Sequence, residues 1–188
     1  MKRLLLIVDP QVDFICGALP VPGAETAMNK LAGYITDNSG KYMHKAVTAD
    51  RHPFNHSSFT EYGGIWPRHC VHDTVGAAIW QPLFNALYNS AGEVSMLYKG
   101  QIADIEEYSI FKNQQAADAI DRLIRELGIE QIDICGLAGD VCVNDTLHDG
   151  IACYGSDMFN VLSDFSPSID GGTTLDKTIT ENRLKCNR

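Results

Sequence analysis

Four titratable side chains stand just past four short apolar runs: Asp9, Asp50, Lys99 and Cys142. Their settings are Val8-Asp9-Pro10-Gln11-Val12-Asp13-Phe14, Thr48-Ala49-Asp50-Arg51-His52, Tyr98-Lys99-Gly100 and Gly136-Leu137-Ala138-Gly139-Asp140-Val141-Cys142-Val143. Cys142 follows two glycines at the predicted start of a helix. A helix N-terminus lowers a thiol pKa and offers free backbone N–H groups to an oxyanion. A carboxylate such as Asp9 can take the thiol proton and later give it to a leaving amine. An ammonium such as Lys99 keeps carboxylate and thiolate anionic and in place. Singly, these residues are a turn residue, a solvated charge and a small buried thiol. Together they fit covalent cleavage of a small amide.

A second constellation follows Asp50: Asp50-Arg51-His52-Pro53-Phe54-Asn55-His56, then Trp66-Pro67-Arg68-His69-Cys70. Asp50, His52 and His69 supply one carboxylate and two imidazoles. That set leaves coordination positions open and suits Zn, Fe or Mn. His56, directly or through water, and Glu61 are candidates for a fourth ligand. His44, His72 and His148 lack comparable company and read as structural or surface residues. Phe14, Trp66 and Tyr108 lie close to these motifs, as core side chains or as surfaces on which a planar ring can stack.

Such residues need a frame that delivers them to one place. Apolar runs at residues 3–8, 45–48, 93–98, 131–135 and 158–162 read as buried strands. Helical patterns fall at residues 24–35, 75–87 (interrupted near Pro82), 114–127, 141–152 and 173–184. Within the third, Ala117, Ile120, Leu123, Ile124 and Leu127 share a face, and Gly128 takes the C-cap position. The alternation predicts an α/β fold of three layers, α/β/α, around a mainly parallel, doubly wound sheet of five or six strands. Sheets of this kind bind ligands at the carboxyl ends of their strands, where the four side chains stand. A chain of 188 residues suits one domain over residues 1–188.

The net charge of −9 disfavours a nucleic-acid partner, which calls for clustered Lys and Arg. No segment approaches the roughly 20 apolar residues of a membrane span. The apolar start, Leu4-Leu5-Leu6-Ile7-Val8, ends at Asp9-Pro10 with no small-residue cleavage site, so it reads as a strand rather than a signal peptide. Six cysteines (Cys16, Cys70, Cys135, Cys142, Cys153 and Cys186) form no CxxC pair. The even count leaves a disulfide framework open, but reduced thiols in a cytoplasmic protein are the favoured reading. Assembly into a homo-oligomer is left open.

These residues resemble the nicotinamidase branch of the isochorismatase-like cysteine hydrolases. The resemblance rests on Leu5 to Phe14, Thr48 to Phe59, Trp66-Pro67-Arg68-His69-Cys70-Val71, Lys99-Gly100, Tyr108-Ser109-Ile110-Phe111 and Gly136 to Val143, in the family's order. It implies that Asp9, Lys99 and Cys142 are the catalytic triad. Cys142 would attack the carboxamide carbon of nicotinamide, and the backbone N–H groups of Ala138 and Cys142 would hold the oxyanion. Asp9 would protonate the departing ammonia and then help water hydrolyse the thioester. A cis peptide commonly precedes the residue matching Ala138. The resemblance further implies one divalent metal, Zn2+ foremost with Fe2+ or Mn2+ as alternatives, on Asp50, His52 and His69. It would bind the ring nitrogen between Phe14, Trp66 and Tyr108. The activity so implied makes nicotinic acid for NAD salvage and extends to pyrazinamide.

The chain departs from the family pattern in places. Arg51 stands where an aromatic residue is common, and Gly139-Asp140-Val141 replaces a commoner Thr-Asp-Tyr run. His148-Asp149-Gly150 interrupts a helix usually built of small and apolar residues. Little sequence follows the last helix, which puts a sixth strand in doubt. The rival readings are an amidase acting on an N-carbamoyl compound or another small amide, and a non-catalytic binding protein on the same fold. Relatives of the former kind lack Asp50, His52 and His69 as a set. A non-haem iron enzyme would leave Asp9, Lys99 and Cys142 without a role.

Overall fold

The computed structural model describes residues 1–187. Among them, six strands form one parallel sheet in the order β3-β2-β1-β4-β5-β6. The strands are β1 (Arg3–Val8), β2 (His44–Asp50), β3 (Glu93–Lys99), β4 (Gln131–Gly136), β5 (Phe159–Leu162) and β6 (Lys185–Asn187). The connecting helices are α1 (Val12–Ile15), α2 (Ala24–Asp37), α3 (Gln81–Asn89), α4 (Gln114–Leu127), α5 (Asn144–Tyr154) and α6 (Thr173–Glu181).

A parallel sheet covered on both faces demands strands that are apolar throughout, and the Leu-Leu-Leu-Ile-Val run of β1 meets that demand. Its residues alternate between two cores. Leu5 and Ile7 pack with Met28, Leu31 and Ile35 of α2 and with Leu83 and Leu87 of α3. Leu4, Leu6 and Val8 pack with Ala116 and Ile120 of α4 and with Leu147 of α5. Lys45, in fully buried β2, donates to the carbonyls of Leu87 (2.8 Å) and Ala91 (2.9 Å) and to Ser90 Oγ (2.7 Å). Those acceptors replace the water that the ammonium loses.

From β1 the chain winds outward through β2 to β3, then returns to β1's other side for β4, β5 and β6. The reversal lies between β1 and β4, where open α/β sheets form their ligand crevice. Asp9 and the segment holding Cys142 leave the sheet at this point.

Four expectations are corrected. The helix foreseen from residue 75 begins at Gln81; Pro82 lies in its first turn, where a missing N–H costs nothing, so it opens the helix instead of interrupting it. The segment foreseen as helix from residue 141 is a π-type turn, Gly139–Val143, that leads into α5 at Asn144. The last helix stops at Glu181, short of residue 184. A sixth strand is present: Lys185, Cys186 and Asn187 pair in parallel with Asn160, Val161 and Leu162.

Candidate active site

The ends of β1 and β4 approach closely because Gly136 has no side chain. A Cβ there would lie 2.0 Å from the Val8 carbonyl oxygen, and the residue's φ of +128° suits only glycine. Next to this junction Asp9 adopts a left-handed φ of 47°. Such conformations in non-glycine residues persist where surrounding contacts enforce them. Thr48 is the enforcing neighbour. Asp9 N–H donates to the Thr48 carbonyl (3.1 Å), and the Thr48 hydroxyl donates to Asp9 Oδ1 (2.6 Å). Asp9 Oδ2 lies 2.9 Å from Lys99 Nζ but receives no aligned hydrogen bond.

Lys99 Nζ is the hub. It stands 2.9 Å from Asp9, 2.5 Å from Asp50 Oδ1 and 3.7 Å from Cys142 Sγ. All four residues are buried. Burial works against the Lys99 ammonium, but Asp50 and Asp9 outweigh it and hold its pKa well above the ordinary lysine value. Burial likewise opposes the Asp50 carboxylate, yet the Lys99 ammonium holds it below the ordinary range. For Asp9 burial wins over Lys99 and raises the carboxyl. The Cys142 thiol is pushed well above its ordinary value by burial, with Lys99 opposing and Asp9 reinforcing the shift. Burial at this position thus acts against the lowering foreseen from a helix N-terminus. Cys142 is enclosed in the π-type turn ahead of α5, and desolvation dominates there.

Asp50, His52 and His69 offer ligand atoms that all lie within 4.8 Å of one another. Their chemistry fits a metal. His52 Nδ1 is 3.0 Å from the Gly100 carbonyl and His69 Nδ1 is 2.8 Å from the Pro67 carbonyl. A carbonyl only accepts, so each ring carries its proton on Nδ1 and leaves Nε2 as a lone-pair donor. His52 Nε2 lies 3.6 Å from Asp50 Oδ2. Gly100 makes room for this ring: a Cβ there would stand 2.4 Å from His52 Cε1.

His56 and Glu61 are not brought into the cluster. His56 Nδ1 pairs with Ser58 Oγ (2.7 Å) and accepts Ser58 N–H, while Nε2 meets the Ile105 carbonyl at 3.1 Å. Both ring nitrogens are thus engaged. Glu61 is exposed and stands 3.5 Å from Arg68. Of the other histidines, His44 is buried against Ser95, His72 pairs with Asp73 and His148 is exposed.

One cleft joins both clusters, with Asp50, His52, His69, Ala138 and Cys142 in its walls. Phe14, Trp66 and Tyr108 line it too. Trp66 Nε1 donates to the Tyr108 hydroxyl (2.9 Å), and the Phe14 ring packs 5.3 Å from that of His69. The Leu137–Ala138 peptide is cis. Sequence reasoning missed Thr48, Glu106 and Ile169. The first sits inside an apolar strand run and the last far along the chain, so neither spacing nor motif marks them.

The model of the Isochorismatase domain matches residues 3–153. This chain belongs to the isochorismatase family. It is 31% identical over 179 residues to the nicotinamidase/pyrazinamidase of Mycobacterium tuberculosis, covering 92% of this chain and 90% of that protein. The crystal structure of the pyrazinamidase of Pyrococcus horikoshii in complex with zinc superposes with a TM-score of 0.83 at 30% identity, over 100% of this chain and 99% of the other. The structure of PnC1 from L. infantum in complex with nicotinate gives 0.83 at 26%, over 100% and 92%. For this family member, then, the sheet crevice and the cleft coincide, and no helix among the described residues is long and apolar enough to cross a membrane.

Proposed function

We propose that the chain is a metal-dependent nicotinamidase, an amidohydrolase that converts nicotinamide to nicotinic acid and ammonia and also accepts pyrazinamide. The observation that carries this reading is the contact of Lys99 with Asp9, Asp50 and Cys142, the last two of which line a cleft walled by aromatic rings. The relatives' names and the nicotinate and zinc complexes support the substrate class and the metal.

The residues have these roles. Asp9, whose Oδ2 lies 2.9 Å from Lys99 Nζ, takes the Cys142 proton as sulfur attacks the carboxamide carbon. Backbone N–H groups of Ala138 and Cys142 receive the negative oxygen. Asp9 passes the proton to nitrogen as the C–N bond breaks, and ammonia leaves a thioester on Cys142. Water then attacks the thioester, Asp9 takes its proton, and C–S cleavage returns the thiol and the free acid. Lys99, 2.9 Å from Asp9 Oδ2, opposes the rise that burial imposes on this carboxyl and so favours its charged form. Phe14, Trp66 and Tyr108 sandwich the ring.

Asp50, His52 and His69 would hold a divalent cation, Zn2+ in the first instance, whose Lewis acidity would anchor the ring nitrogen. Nicotinic acid so formed would feed NAD salvage. All six cysteines are free thiols, which accords with the cytoplasm.

The test is ammonia release from nicotinamide by the purified protein. Release should be abolished in Cys142→Ala and in Asp9→Ala while both variants keep the wild-type circular dichroism spectrum. Near-normal turnover in either variant would remove the mechanism. No release by the wild type with metal bound would point to a different small amide.

A further inference from the structure

The side chains that carry the chemistry come from the part of the chain that defines the family, residues 3–153. One wall of the cleft does not. Ile169 lines it beside Ala138, Val141 and Cys142, from the segment between β5 and α6. The residue is 46% exposed, an apolar group in the cleft wall that solvent still reaches. A buried apolar core gains nothing from it there, whereas a bound ring would cover it.

The segment is not a free loop. Asp140, two residues before the nucleophile, spreads its carboxylate over it: Oδ1 accepts Ile169 N–H and Oδ2 accepts Asp170 N–H, both at 2.9 Å. Gly139 N–H donates to the Pro167 carbonyl at 2.8 Å. The fit is close, because a Cβ on Gly139 would stand 2.4 Å from both the Ser166 carbonyl oxygen and Ser168 Oγ. Beyond it, Asp170 accepts the N–H groups of Gly172 and Thr174, both at 2.9 Å, and so starts α6. The wall is therefore registered to the nucleophile turn at one end and to a helix at the other.

We propose that Ile169, latched to the nucleophile turn by Asp140, is a specificity-determining residue that limits the size of the aromatic amide the cleft accepts. The proposal rests on the nicotinamidase reading and adds to it the place where substrate choice is made. Asp140 is a positioning residue in this scheme: it touches no substrate and acts through Ile169. The common chemistry stays in the family-defining part, and discrimination falls to a side chain outside it.

The experiment is steady-state kinetics of wild type, Ile169→Ala, Ile169→Phe and Asp140→Asn on nicotinamide, pyrazinamide and ring-methylated nicotinamides. One or a few methylenes in a pocket discriminate by roughly 10–200-fold. Ile169→Ala should raise KM for nicotinamide about tenfold with kcat within about twofold, and shift the kcat/KM ratio towards at least one methylated amide about tenfold. Ile169→Phe should shift that ratio the opposite way. Asp140→Asn should move it in the same direction as Ile169→Ala; a merely structural role would lower all substrates alike. Substrate ratios unchanged within twofold in both Ile169 variants, with wild type active on nicotinamide, would overturn this proposal and leave the nicotinamidase reading standing. A wild type inactive on every aromatic amide would overturn both.

Discussion

Lys99 Nζ and Asp50 Oδ1 lie 2.5 Å apart, and that contact joins the two clusters of the site. The other oxygen of Asp50 faces His52 Nε2, so one carboxylate serves the ammonium on one side and the candidate metal ligands on the other. Removing the ammonium leaves Asp9 and Asp50 buried without their cation. Losing one partner of a buried pair costs about 3–5 kcal/mol. Lys99→Met should therefore lower the urea midpoint markedly as well as abolish turnover. The sign with pH follows from the carboxylates. Without Lys99 their folded-state pKa values rise above the unfolded ones, so the folded state binds more protons and is stabilised as pH falls. The stability deficit of Lys99→Met should thus shrink between pH 8 and pH 5. A deficit independent of pH would show that the pair carries no such linkage.

Thr48 holds Asp9 through both its backbone and its side chain, and the hydroxyl contact to Oδ1 leaves Oδ2 towards Lys99 Nζ. Thr48→Val keeps the shape of the side chain but removes the donor. A hydrogen bond to a charged group contributes about 1.5–3 kcal/mol. The carboxylate would then be free to turn, and kcat should fall about tenfold or more, since 1.36 kcal/mol is a factor of ten in rate. KM and metal content should stay unchanged, because Thr48 touches neither ring pocket nor ligand lone pairs. Thr48→Ser should recover most of the rate. Equal damage from Val and Ser would show that the hydroxyl is not the deciding group and that side-chain packing at this position sets the rate instead.

β1 was legible because burial on both faces forces an unbroken apolar run, and α4 was legible to the residue because its apolar stripe and Gly128 agree. The three-residue strand β6 has no such run; its place depends on pairing with β5, which only the folded sheet supplies. Asp9, Lys99 and Cys142 could be found because each stands at or a few residues past the carboxyl end of a strand, and those ends converge in a doubly wound sheet. The state of the thiol could not. Helix position suggested a lowered pKa, but how completely neighbours exclude water is a property of packing. For the same reason the engagement of both His56 nitrogens could not be foreseen: Ile105 and Ser58 meet the ring only once the two loops are folded.

Burial raises the Asp9 carboxyl above its ordinary value of 3.8, with Asp50 acting in the same direction and Lys99 and Thr48 against it. Asp9 must be ionised to take the thiol proton, so activity is gained as pH rises through its pKa. The acid limb of kcat/KM should accordingly have its midpoint above pH 3.8. The Cys142 thiol is pushed up well beyond its ordinary value, so no rise from a preformed thiolate should accompany pH 7 to 9. A kcat/KM profile over pH 4.5–9, with metal content measured at each point, separates Asp9 from loss of metal. A second rise near pH 8.5 would mean that the thiolate forms before substrate arrives.

Two histidines whose rings lie 4.1 and 5.1 Å from that of His52 should behave differently towards a metal. His69 presents an Nε2 lone pair, because the Pro67 carbonyl fixes the proton on Nδ1. His56 has no free nitrogen, since Ser58 and Ile105 use both. His69→Ala should therefore lose bound metal on dialysis against a mild chelator and show a raised KM for nicotinamide. His56→Ala should keep stoichiometric metal under the same dialysis, with a lower melting temperature from the lost hydrogen bonds to Ser58 and Ile105, of about 1 kcal/mol each. Elemental analysis of the two variants side by side checks the assignment. Metal lost from His56→Ala and kept by His69→Ala would reverse it, and would require the His56 ring to leave Ile105 when the ion binds.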